Sequence, residues 1–298
     1  MRILANYIMR GRSQAMLATV SLATFSLLFM PLGILSAASI GLVTLMHGIL
    51  EGLILLLMAS LGCAVLAWVS LNEPILALAF MLEYWLPVWI LSVVLRVNKD
   101  LGKTFQMAGF LATVGIILFY WVVGNPSDWW LQLLTTKVLP SLGETGRVLL
   151  SQEENLQLVA GFMTEMVAAM LTLTLLMAVL VARWWQSVLV CPEGFAKDFS
   201  ALNMGYKLAV LMPVLLAITV LAEGLPAMMA SDILVVLSVL FGFQGFSLLQ
   251  GSMNSYNLSF RWRVFVYSIL FFIPQMLVLI VSVGILDAWF NVKKRLGQ

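Results

Sequence analysis

The chain has 298 residues, 62% of them hydrophobic and only 10% charged, with a net charge of +2 and a mean hydropathy of +1.04. Such apolar composition excludes a soluble globular domain, and a small positive charge dispersed between apolar runs excludes a nucleic-acid-binding surface. Two cysteines, Cys63 in an apolar run and Cys191 in a polar loop, exclude a disulfide framework and a cysteine-based metal site.

Arg2, Arg10 and Arg12 precede an apolar stretch that continues with few interruptions to Leu71. That is too long for the short core of a cleaved signal peptide, so an uncleaved first span is expected. A spanning helix needs about 20 apolar residues. In chain order the segments at or near that length are 14–31, 33–49, 52–71, 74–95, 105–124, 156–182, 207–225, 231–251 and 264–290. Only Pro31, Leu32 and Gly33 separate the first two, as a tight turn at a membrane surface would. The fold class expected is all-α, a polytopic transmembrane bundle of eight to nine segments forming one integral domain over 1–298, with the lipid bilayer as its first partner.

Lys and Arg in short loops stay on the cytoplasmic side. The N-terminus, loop 96–104 (Arg96, Lys99, Lys103), loop 183–206 (Arg183, Lys197) and loop 252–263 (Arg261, Arg263) then share one side, and the N-terminus is expected inside a bacterial cytoplasmic (inner) membrane. Trp129, Trp130, Trp184 and Trp185 fall where aromatic belts lie. Nine spans, however, place the basic tail Lys293-Lys294-Arg295 outside. The alternative is that Pro274 breaks segment 264–290 into halves that enter and leave on one face. The outer loop 125–155 carries Asp128, Lys137, Glu144, Arg147, Glu153 and Glu154 with Leu139, Leu142, Leu149 and Leu150 between them; it is either an amphipathic piece covering the outer mouth or a connector.

Carboxylates at membrane depth cost at least about 2.5 kcal/mol each, which makes Glu83 and Glu165 candidate functional residues. Glu165 shares a helical face with Gly161, Ala168, Ala169 and Thr172, small residues that mark helix contacts, so it is expected to face the bundle as a ligand anchor or an interhelical hydrogen bond. Glu83 stands beside Tyr84, Trp85 and Trp89 with Pro87 one turn on. Either these form an aromatic pocket with one polar anchor, or Glu83 is protonated and bonded to nearby backbone. Gln244, flanked by Gly242, Gly245 and Gly251, and Gln275 are interhelical amides or substrate contacts. The candidate substrate-binding set is Glu83, Glu165, Trp85, Trp89, Gln244 and Gln275.

His47 and Glu51 share a face if the helix is continuous there, and an ion pair or a pH-sensitive contact is the reading, since a lone His with one acid makes no metal site. Gly102-Lys103-Thr104 is not a phosphate loop, because Val97 stands where the earlier glycine is required. No zinc motif, nucleophile elbow or dinucleotide turn occurs. Neither enzymatic activity, metal nor cofactor is expected, and energy from ATP would arrive through a partner. Small-residue ladders at Ala37 to Gly41 and at Ala59, Cys63 and Ala67 read as packing seams.

Three stretches together resemble the YybS-like bacterial inner-membrane proteins, a family of unknown function: Leu45-Met46-His47-Gly48 leading into Gly52; Ala182-Arg183-Trp184-Trp185-Gln186 with Pro192-Glu193-Gly194-Phe195 and Phe199; and Gly284 to Arg295. Asn291 stands where the family pattern has a second acid. The family is similar in fold to the substrate-binding subunits of energy-coupling-factor transporters. That likeness implies a six-helix core over 1–182, with 183–298 adding helices and the cytoplasmic loop 183–206. Two functions follow as expectations. One is a small-molecule or ion-binding transport subunit served by an ATPase or other membrane or cytoplasmic partner. The other is a non-transporting scaffold whose partner surface is Arg183, Trp184, Trp185, Gln186, Pro192, Gly194, Phe195 and Phe199, aromatic and Arg-rich as interfaces and interfacial anchors both are.

Overall fold

The computed structural model describes residues 1–73, 75–141, 153–256, 258–273 and 275–295, and every regular element among them is helical. In chain order these are α1 (Arg2–Ile8), α2 (Arg12–Ser26), α3 (Pro31–His47), α4 (Ile49–Leu71), α5 (Ile75–Phe80), α6 (Leu86–Asn98), α7 (Leu101–Val123), α8 (Pro126–Leu133) and α9 (Leu139–Ser141). They continue with α10 (Glu153–Val190), α11 (Gly194–Ser200), α12 (Tyr206–Leu221), α13 (Leu225–Ser255), α14 (Phe260–Phe272), α15 (Gln275–Phe290) and α16 (Val292–Arg295). π-helical turns at Met81–Trp85 and Leu134–Val138 join α5 to α6 and α8 to α9. Each turn contains the carbonyl four residues before a proline, that of Glu83 before Pro87 and that of Thr136 before Pro140. The proline has no N–H to meet that carbonyl and its ring crowds it, so the helix widens instead of continuing.

The chain is a helical membrane protein. Among the described residues, five helices are long and apolar enough to cross a bilayer: Ile49–Ser70, Ala77–Asn98, Leu101–Val123, Glu154–Val190 and Leu225–Ser255. The bent pair Phe260–Leu270 and Gln275–Phe290 makes up to six. The expected eight to nine segments exceed this because apolar length is not helical length. Segments 14–31, 33–49 and 207–225 become helices of 15, 17 and 16 residues. At about 1.5 Å per residue these fall short of a hydrocarbon core of about 30 Å. The last apolar residues of the first segment, 27–30, lie in the turn to α3.

The helices group into two compact units: 1–108, 173–205 and 241–298 form the first, and 109–172 with 206–240 the second. The grouping does not follow a boundary at 182–183, since 173–205 stay together.

In the first unit α3 is the central helix. Its small residues permit this: Ser36, Ala37, Ala38 and Ser39 are fully buried, and a Cβ on Gly41 would press on Ala182 and Ser92. Trp85 is also fully buried and donates its indole N–H to Ser36 Oγ at 3.1 Å. Gly48, at φ 125°, ends α3 in a conformation that favours glycine and turns the chain directly into α4. Past the break Glu51 pairs with Arg12 through two bonds of 2.8 and 2.6 Å, and His47 lines the same small cleft.

Towards the C-terminus, α15 crosses α13 at Gly245 and Gly284. A Cβ at either glycine would overlap backbone, the Ile280 carbonyl for one and the Phe241 carbonyl for the other. Helices α14 and α15 are bent by 108° relative to one another; Pro274, expected to break this segment, lies outside the described residues. Beyond α15, Asn291 adopts the left-handed conformation (φ 51°) that Asn tolerates better than most residues, and this turn swings α16 back against the bundle. Lys293 then donates its ammonium to the Leu202 carbonyl at 2.6 Å. The tail thus lies at the same end of the first unit as loop 183–206.

In the second unit the described parts of the outer loop are helical over 126–141 and again from Glu153. Leu134 packs with Leu156 and Ala160, flanked by Trp130, Leu131, Val138 and Leu139. The rest of the expected amphipathic piece, Leu142 to Leu150 with Glu144 and Arg147, lies outside the described residues.

Candidate functional site

Within the second unit, α10, α12 and the first turns of α13 surround a cleft of about 500 Å³. Glu165 on α10 and Asp232 on α13 both line it. Each carboxylate has a hydroxyl partner. Ser231 Oγ donates to Glu165 Oε1, and the Tyr120 hydroxyl, from α7, donates to Asp232 Oδ2 at 2.8 Å. The lining residues include no Lys or Arg. Gly161, one turn before Glu165, has no neighbour within 4 Å of where its Cβ would stand, so at this position the small residue makes space rather than close contact. One wall is braced by the Trp130 indole, which donates to Thr164 Oγ1 at 2.9 Å, and Phe119 stacks edge-on against Trp129. Two carboxylates in a mostly apolar cleft favour a positively charged guest over a neutral or anionic one. Among the described residues no three His, Cys, Asp or Glu side chains gather as a metal site would require.

A second polar cluster lies in the first unit and is closed rather than open. Gln244 is fully buried; its Oε1 accepts from the Met204 N–H and its Nε2 donates to Asp287 Oδ2, both at 2.8 Å. Asp287 Oδ1 accepts from the Lys293 backbone N–H at 2.9 Å, which caps α16. Lys293 Nζ donates to Ser247 Oγ at 2.9 Å as well as to Leu202, and Ser247 Oγ donates to the Phe199 carbonyl at 2.6 Å. The amide and both carboxylate oxygens are therefore committed within the protein. This is a latch that fastens the segment 199–204 to α13 and the tail. Burial pushes the Lys293 ammonium down to about 8, partly offset by the charge of Asp287. A folded value below the unfolded one means the folded chain binds fewer protons between about pH 8 and 10.5, so stability rises with pH across that window. Melting curves from pH 7.5 to 10.5 should show this gain in the unsubstituted chain and lose it in Lys293→Met.

The remaining candidates fall elsewhere. Glu83, in the first unit, is exposed on the π turn, whereas the neighbouring Trp85 points into the core and Trp89 donates to the Ile49 carbonyl at 3.2 Å. Gln275 is exposed at the start of α15. Of the aromatic and basic block, Trp184 is exposed, but Trp185 is fully buried core rather than part of an interfacial belt. Arg183 pairs with Asp198, Gln186 Nε2 donates to the Leu45 carbonyl at 3.3 Å, and Phe199 is buried against Phe195 and Phe246. Pro192 is exposed and Gly194 and Phe195 half-buried.

Sequence reasoning passed over Asp232, because it stands second in its apolar segment and reads as a boundary residue. Its signal was the Ser231-Asp232 pair on an otherwise apolar helix. Comparisons of the chain with protein-family models, curated proteins and solved structures find no match.

Proposed function

We propose that this membrane protein is a binding subunit for a small monovalent cation or protonated amine, held in the cleft of the second unit by Glu165 and Asp232, with transport energised by a separate partner. The observation that carries this reading is the pair of intramembrane carboxylates on one cleft with no basic residue among its lining. Such acids at membrane depth are costly and usually mark ion or substrate sites. The hydroxyls of Ser231 and Tyr120 orient the carboxylates without neutralising them, so the positive charge has to come from a guest or a proton. We further assign the end of the first unit that carries Arg12, Arg96, Arg183 and Lys293 to the cytoplasm, since that orientation obeys the positive-inside rule for the tail as well as the loops.

The test uses the full chain in neutral detergent, with sodium chloride or 1,4-diaminobutane titrated against N-methylglucamine at constant ionic strength. A ligand that binds only the folded state raises the melting temperature in a saturable way. That rise is expected for one of the two probes and is expected to vanish in the double variant Glu165→Gln, Asp232→Asn. Gly161→Leu, which fills the cleft but leaves both carboxylates intact, should weaken the response at least tenfold. An identical rise in the double variant, or none with either probe in the unsubstituted chain, sinks the proposal.

A further inference from the structure

A cleft of about 490 Å³ opens in the first unit where α3, α6 and α10 meet α11, and Arg96, Lys99, Arg183 and Asp198 line it together with Leu45 and Leu95. Its charges do not balance. Asp198 is the one carboxylate in the lining, and it is spent on Arg183, whose Nε and Nη2 both reach Asp198 Oδ2 at 2.7 Å.

Arg96 has no carboxylate partner among the described residues. Its Nη1 donates to the Leu45 carbonyl and to that of Thr44 at 3.1 Å, both in the last turn of α3. Those bonds fix the guanidinium in place and leave its Nε and Nη2 edge, the bidentate edge that matches carboxylate and phosphate oxygens, without a partner among the described residues. Lys99 follows Asn98 in the left-handed conformation (φ 53°), which carries it away from the helix it ends; it is exposed and pairs with no described group. The nearby Asp100 carboxylate accepts instead from the backbone N–H groups of Gly102 and Lys103, at the start of α7.

Depth supplies the second argument. The apolar span Ala77–Asn98 ends between Arg96 and Lys99, so both cations stand where a hydrocarbon core gives way to headgroups. Leu45 and Leu95 give the same cleft an apolar wall.

We propose that this cleft binds a phosphate-bearing anion through the free edge of Arg96 and the ammonium of Lys99, the chemistry offered by the headgroup of an anionic phospholipid or by a soluble phosphate. The apolar wall and the depth favour the lipid. The site is independent of the cation cleft in the second unit, and its failure leaves that reading untouched.

Two measurements separate the sources. In the first, the full chain in detergent is mixed with phosphatidylglycerol or with phosphatidylcholine of the same acyl chains, and bound lipid is counted by native mass spectrometry. In the second, inorganic phosphate is titrated calorimetrically. Retention of phosphatidylglycerol at least tenfold above phosphatidylcholine, falling about tenfold in Lys99→Gln and in Arg96→Gln, supports the site with a lipid occupant. Saturable phosphate binding that both variants abolish, without lipid preference, supports it with a soluble one. Because Arg96 also holds the end of α3, its variant is read only if its melting temperature is unchanged; Lys99→Gln, on the surface, carries the test by itself. Phosphatidylglycerol retention or phosphate binding unaltered in Lys99→Gln, or neither ligand bound, overturns the proposal.

Discussion

Replacing Asp287 by alanine is expected to destabilise the first unit by about 3–5 kcal/mol, the usual result of removing one member of a buried charged network. The side chain satisfies two donors at once, the Gln244 amide and the Lys293 backbone N–H. Its loss also leaves the buried Lys293 ammonium with only a carbonyl and a hydroxyl for company. Asp287→Asn keeps the shape and one acceptor and should cost less than half as much. Unfolding in mixed micelles of rising sodium dodecyl sulfate content, followed by near-ultraviolet circular dichroism, measures both variants. A loss below about 1 kcal/mol in Asp287→Ala would mean that water or the bilayer satisfies these groups and that the latch does not hold the tail.

The second large effect is expected at the crossing of α13 and α15. A Cβ on Gly284 would overlap the Phe241 carbonyl, and carbonyl oxygens cannot rotate aside as a side-chain tip can. The helices must separate, and with them the Gln244–Asp287 bond. Gly284→Leu should therefore cost at least about 3 kcal/mol and Gly284→Ala about 1–3 kcal/mol, the range for overfilling a packed interior. Gly161→Ala is the control, since nothing stands within 4 Å of its added carbon. Melting temperatures of the three variants in one detergent give the comparison, and equal shifts for Gly284→Ala and Gly161→Ala would contradict the close packing.

The membrane class and the five long spans follow from a property the sequence carries directly, apolar run length. What was not legible depends on partners distant in sequence. Asp232 acquires meaning only beside Tyr120, 112 residues away. Lys293 reads as a topology charge until Leu202 and Ser247 are placed around it, and Gln244 reads as a possible substrate contact until both ends of its amide are seen to be used. The environment of Glu83 was misleading for a local reason. An aromatic neighbourhood in sequence is not one in space, and on the π turn Trp85 and Glu83 project to different surroundings. Trp185 likewise has the composition of a belt residue and the burial of a core one. Helix count fails where proline and glycine shorten a run, as between α2 and α3, because hydropathy registers residues without regard to whether their backbone is helical.

The latch also has an order in time. Every partner of Lys293 precedes it in the chain: Leu202, Ser247 and Asp287 are all synthesised first. While residues up to Asp287 emerge from the ribosome, the Ser247 hydroxyl, the Asp287 carboxylate and the segment 199–204 have no ammonium to gather around. A chain stopped short of residue 293 leaves the Leu202 carbonyl without its ammonium donor, while Ser247 and Asp287 keep their bonds to Phe199 and Gln244. Lys293 is the last member of the network to be made, so the latch closes only after every one of its partners is in place.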